Sequence, residues 1–124
     1  MILDDLKALI DGSGLVTDYD QAHFFDESKY TNKTIAYSIN GGSGSDHFVR
    51  NPTVDFVFYG IESSKGADRI DVANASESIF NYFLDNYSQG CIIGIIPLVE
   101  VAGPNYSDSG RPMYTFTIQL KTAR

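Results

Sequence analysis

The residues of this chain that could do chemistry are few, and they gather around one glycine-serine run. Gly41-Gly42-Ser43-Gly44-Ser45 invites a phosphate-cradling reading, and Asp46-His47 could polarise each other beside those serines. A phosphate loop ends in Gly-Lys-Ser/Thr and opens a helix whose N-terminal amides hold the anion. Neither condition holds here: the next segment reads as a strand, and Ser64-Lys65-Gly66 does not repair the motif. The spacing of Gly42-Ser43-Gly44-Ser45 only loosely matches a nucleophile elbow, which needs a strained strand-to-helix turn. Triads are assembled in space, so a small ligand-binding or hydrolytic domain using Asp46, His47 and nearby serines stands as the alternative from another class. The simpler reading is a mobile surface loop.

The remaining reactive types add little. A metal site needs three or four converging ligands, and one cysteine and two histidines, His23 and His47, do not supply them at any ligand spacing. Cys91 opens the apolar run Cys91-Ile92-Ile93-Gly94-Ile95-Ile96, where a thiol packs as a small hydrophobe. Nothing near it in sequence would lower its pKa, and a single cysteine excludes an internal disulfide. Carboxylates are plentiful but scattered through polar segments. The expectation is a protein with no catalytic residues, no cofactor and no metal.

Composition narrows the partners. The 124 residues suit one domain, 1–124, with a real core. Net charge is −7, unevenly spread: residues 1–62 hold ten acids against four bases (−6), and the rest six against five (−1). Such a surface repels phosphate, which argues against a direct grip on nucleic acid. Eight Tyr and eight Phe, without Trp, favour interfaces as well as cores. The start, Met1-Ile2-Leu3-Asp4-Asp5, lacks a basic signal-peptide region, and no apolar run reaches membrane-spanning length, so synthesis and residence in the cytosol are expected.

The elements that must position these residues follow from periodicity. Ile2, Leu3, Leu6, Leu9 and Ile10 form one stripe of a helix over residues 2–11, with Gly12 as its left-handed stop. Residues 13–33 are polar, and a strand passing there has no placeable ends. Residues 34–39 alternate as a strand with Ile35, Tyr37 and Ile39 on one face, and residues 53–59 do the same with Val54, Phe56 and Phe58. Asp68 is the expected N-cap of a long helix whose stripe runs Val72, Ala73, Ser76, Ile79, Phe80, Phe83, Leu84, Tyr87. Residues 91–101 are nearly all apolar and read as a buried strand, with Pro97 marking an edge, a bulge or the end. A turn-rich loop is expected over 103–110. Residues 112–121 then alternate, with Tyr114, Phe116, Ile118 and Leu120 inward. The order α-β-β-α-β-β predicts an α/β chain of the α+β type: a four-stranded, largely antiparallel sheet with two helices packed on one face.

One succession carries a family likeness. Phe48-Val49-Arg50-Asn51-Pro52-Thr53-Val54-Asp55-Phe56-Val57-Phe58-Tyr59-Gly60 is followed by the long helix and the apolar strand. Then come Gly103-Pro104 and Asp108-Ser109-Gly110-Arg111-Pro112-Met113-Tyr114-Thr115-Phe116. Over residues 34–122 this resembles the tail terminator, or tail completion, proteins of long-tailed bacteriophages, with Arg50 and Pro52 on the family's Arg-x-Pro-type segment and Arg111 and Pro112 on its last-strand motif. The resemblance implies a structural virion protein at the head-proximal end of the tail, present in the host cytoplasm during assembly. It implies a homohexameric ring that caps the tail tube, ends its polymerisation and offers the surface for head joining, with DNA passing through the lumen unbound. The implied partners are further copies of the chain, the tail tube protein and a head-completion or neck protein. The candidate interface residues, to another subunit or to the tube, are Gly41, Gly42, Ser43, Asp46, His47, Arg50, Tyr59, Arg111 and Tyr114. For Arg111 the competing reading is a local pair with Asp108 that orders the turn. Another neck, connector or minor capsid subunit of the same build is the nearest alternative.

Overall fold

Two of the alternating segments lie side by side. In the computed structural model, which describes residues 2–22, 32–40, 49–61, 68–107 and 110–123, strand β2 (Thr34–Asn40) pairs antiparallel with strand β4 (Thr53–Tyr59). Ile35 lies opposite Phe58, Tyr37 opposite Phe56, and Ile39 opposite Val54, so one apolar face is continuous across both strands. Strand β6 (Pro112–Ala123) flanks β4 on its other side, again antiparallel, with Phe116 opposite Phe56 and Ile118 opposite Val54. A period of two over three strands in register thus gives one apolar wall and one polar one.

The wall is closed by helices α1 (Ile2–Ser13) and α2 (Arg69–Asp85), whose Leu6, Leu9, Ile10, Val72, Ile79, Phe80 and Phe83 join the sheet in one core. Phe116 sits at its centre. Its ring stacks on Phe56 at 4.8 Å and meets the edges of Phe80 at 5.2 Å and Phe83 at 6.2 Å. Helix α1 runs through Gly12, where a stop was expected, and Gly14, at φ 67°, is the left-handed residue beyond its end. Asp68 stands at the α2 N-terminus as expected, but its carboxylate accepts no capping bond from the helix; Oδ2 takes the backbone N–H of Ile61 at 2.8 Å.

The sheet departs from the expected one in three respects. Strand β1 (Asp20–Ala22) lies in the segment left unplaced and pairs parallel with β2, which makes the sheet mixed. A two-residue strand, β3 (Val49–Arg50), pairs with the end of β6. Among the described residues the main order is therefore β1-β2-β4-β6-β5, five strands instead of four, with β3 beside β6 on the side away from β5. Strand β5 itself covers Ile92–Tyr106, so it absorbs Gly103-Pro104, which were expected in a loop and are joined by a cis peptide.

The larger correction concerns the surroundings of β5. Its residues 91–101 were expected to be buried, and they are mostly exposed: Ile93, Leu98 and Val99 each show about half their surface, and Ile96 39%. The cause is its place at the margin of the sheet. Among the described residues it pairs only with β6, and the register slips at four points between Ile92 and Asn105. Each slip turns the following residues relative to the core, so an unbroken apolar sequence is no longer held against the helices.

Candidate functional site

The two ends of β6 carry different machinery. At its start, Arg111 is fully buried, although its motif invited an outward role. Its Nε donates to the carbonyl of Gly60 at 2.8 Å, and its Nη2 to the carbonyl of Asn32 at 2.7 Å. The guanidinium lies 5.5 Å from the centre of the Tyr59 ring, a cation–π distance. The turn before it is closed by Ser107, whose N–H donates to the Arg111 carbonyl and whose Oγ accepts the Arg111 N–H. A buried cation is tolerated when its donors are satisfied in fixed directions, and the planar guanidinium fork suits two backbone carbonyls from separate segments. Arg111 therefore ties the start of β2, the end of β4 and the start of β6 into one corner.

Of the other candidate interface residues, Tyr59 is half-buried on the outer face of the sheet, opposite Met113 and Thr34. Tyr114 is buried on the core face. Arg50 is half-buried on β3 opposite Thr122, nine β6 residues away from Met113, or about 30 Å at strand spacing. The structure thus brings Tyr59, Arg111 and Tyr114 to one end of the sheet and leaves Arg50 at the other. Gly41, Gly42, Ser43, Asp46 and His47, like His23 and Asp108, lie outside the described residues.

Cys91 enters β5 half-buried. Its backbone N–H donates to Oδ2 of Asp5 at 3.0 Å, joining the first turn of α1 to the start of the strand. The Asp5 carboxylate also hydrogen-bonds the thiol and, together with burial, pushes its pKa up, the opposite of what a nucleophile requires. Among the described residues no three His, Cys, Asp or Glu side chains gather where they could hold a metal ion, and no helix is long and apolar enough to cross a membrane.

What the described surface offers is area. The outer face of β2, β4 and β6 presents Ala36, Ser38, Asp55, Val57, Thr115, Thr117 and Gln119, with Asp55 accepting from Thr117 Oγ1 at 2.7 Å and Asn40 Nδ2 at 2.8 Å. Ile96 of β5 lies opposite Gln119 and Val99 opposite Thr117, so this face ends in an apolar margin. Sequence reasoning took this strand as buried because a uniformly apolar strand marks no face. Its reading of Pro97 as an edge or bulge nevertheless holds, since the register slips between Pro97 and Val99. The further signal was the strand's punctuation by Gly94, Gly103 and Pro104.

The described residues thus form an α+β domain with one helix-covered sheet face and an apolar margin at β5. The family model described as phage tail termination protein matches residues 1–124, the whole chain, and the protein belongs to that family. It is thus a structural component of a phage tail. No curated protein matches the chain.

Proposed function

We propose that copies of this chain form a ring, a hexamer in the reading the family likeness favours, that seats on the end of the tail tube. The ring stops addition of further tube subunits and presents the surface on which a head-completion or neck protein docks. Family membership over all 124 residues is the observation that carries this reading. The build agrees with it. A closed ring needs two different, complementary surfaces on each subunit, and the open sheet face with its apolar margin is suited to be one of them. Net charge of −7 per subunit, repeated around a ring, disfavours adhesion of the DNA that passes through it. The reading places the protein at the head-proximal end of the virion tail, with assembly in the host cytoplasm, and asks no catalysis of it.

The test is electron microscopy of tail tube protein polymerising with and without this chain. Capped tubes of limited length, with extra density at one end, are expected. Tubes that keep growing, with no density at their ends, would refute the terminator role. A neck or connector subunit would show itself by binding the head side while leaving tube growth unchanged.

A further inference from the structure

We infer that the outer margin of β5, centred on Ile96 and Val99, is a contact surface for a second copy of this chain. The inference deepens the ring reading and rests on it for the expectation of neighbouring copies.

Three observations converge. The first is exposure: Ile93, Ile96, Leu98, Val99 and Tyr106 are all exposed on one strand, a concentration of apolar surface that a lone domain would bury. The second is size. The ends of β5 lie opposite Thr122 and Pro112, ten β6 steps or about 33 Å apart, so a footprint of about 800 Å² per partner needs a width of about 24 Å. The outer rows of β5, β6, β4 and β2 supply about 19 Å of that width, with Val99, Thr117, Asp55 and Ser38 in one row and Ala102, Thr115, Val57 and Ala36 in the next. The third is charge. Glu100 is the one charged residue in β5, whereas α1 carries Asp4, Asp5 and Asp11, α2 carries Asp71, Glu77 and Asp85, and the β1 margin carries Asp18 and Asp20. Copies bearing −7 each meet with less repulsion across this face, whose named rows and strand carry two acids, Glu100 and an Asp55 already hydrogen-bonded by Thr117 and Asn40.

The geometry also indicates the kind of contact. Pro97 and Pro104 have no N–H to donate, and the register slips disturb the outward row of backbone groups. Continuous strand addition along β5 is thereby blocked, so the second copy packs against side chains. Ile96 and Val99 are its anchors because pairing opposite Gln119 and Thr117 points them away from the helices.

The experiment is sedimentation velocity and light scattering on the purified full chain and on Ile96→Glu and Val99→Glu, with Ile70→Glu, a 65% exposed position on α2, as the control. Both β5 positions are exposed, so thermal midpoints should stay at the wild-type value, and the milder Val99→Ser serves if a glutamate variant does not. A self-associating wild type, a rise of roughly 30-fold or more in the dissociation constant for the β5 variants, and no change for Ile70→Glu are expected. A monomeric wild type, unchanged association of the β5 variants, or an equal loss in Ile70→Glu would overturn the inference. So would β5 variants that still self-associate but no longer bind tubes, since the occupant would then be the tube protein. A chain that limits tube length equally well with and without Val99→Glu sinks this inference and leaves the terminator reading standing. One that self-associates through β5 yet never limits tubes does the reverse.

Discussion

The guanidinium of Arg111 and the backbone carbonyl of Asn32, 79 positions apart in sequence, meet at 2.7 Å inside the protein. Together with the bond to Gly60, this makes Arg111 the fastening of one end of the sheet. Arg111→Met removes both donors and leaves two carbonyls to find water or go unpaired, which should lower stability by about 2–5 kcal/mol. Arg111→Lys keeps the charge but replaces a planar fork with a point donor, and should fall between the two. Urea denaturation followed by circular dichroism reads both. A Met variant with the wild-type midpoint would show that the corner holds without this residue.

Asp5 makes the corresponding fastening at the other end, and it gives the fold an acid limb. Hydrogen bonds from the Cys91 side chain and backbone hold the carboxyl below its ordinary value. Its folded pKa is thus below the unfolded one, so its contribution is complete above the unfolded value, near 3.9, and is lost as pH falls through the folded value. Asp11, held low by Lys7, and Asp18, held low by Lys33, add in the same direction. Thermal midpoints measured from pH 7 down to pH 2 should decline on the acid side, and Asp5→Asn should flatten part of that decline. Gly90→Ala should weaken the same joint at every pH, because Gly90 sits at φ 56° and an added Cβ would meet the Asp5 carboxylate.

How far this fold could be read from its sequence depended on whether each strand marks its own faces. Val54, Phe56 and Phe58 alternate with Thr53, Asp55, Val57 and Tyr59, and the alternation named the buried side correctly. The same held for Tyr114, Phe116, Ile118 and Leu120. In β5 nearly every position is apolar, so composition looked like burial, and only pairing with a single neighbour explains why Val99 is outside. Strand β1 was illegible for a different reason: Asp20-Gln21-Ala22 has no periodicity, and its place comes from pairing with Thr34, Ile35 and Ala36. At the candidate site, the motif around Arg111 was visible, but its direction was not. A charged residue beside a turn normally faces water, and here two distant carbonyls draw it inward.

Phe116 tests whether the core is as centralised as its ring contacts suggest. It touches Phe56, Phe58, Phe80 and Phe83, which arrive from β4 and α2. Phe116→Ala should cost about 3–5 kcal/mol, since the four surrounding rings cannot collapse into the space it leaves. Phe116→Leu should cost less, about 1–2 kcal/mol, because most of the volume is kept. Chemical denaturation of the two variants gives the comparison. Equal losses would mean that ring stacking, and not filled volume, dominates there.

The tyrosines give the fold an alkaline limit as well. Burial pushes the Tyr37 phenol up to about 12, and its hydroxyl donates to Gln21 Oε1 at 3.2 Å. Burial, with Asp18 nearby, pushes Tyr19 up further, and its hydroxyl has no hydrogen-bond partner among the described residues. A phenol is neutral until it loses its proton, so a folded pKa above the unfolded value of about 10 favours the folded state below that value. That contribution disappears as pH rises from about 10 towards the folded value. With eight Tyr and no Trp, phenolate absorbance reports on tyrosines alone. Its titration should show a late fraction, from Tyr19 and Tyr37, that ionises only as the protein unfolds. Substituting Tyr37→Phe should remove one phenol from that late fraction. If all eight ionise in one reversible step while circular dichroism stays native, Tyr19 and Tyr37 are not held in the interior.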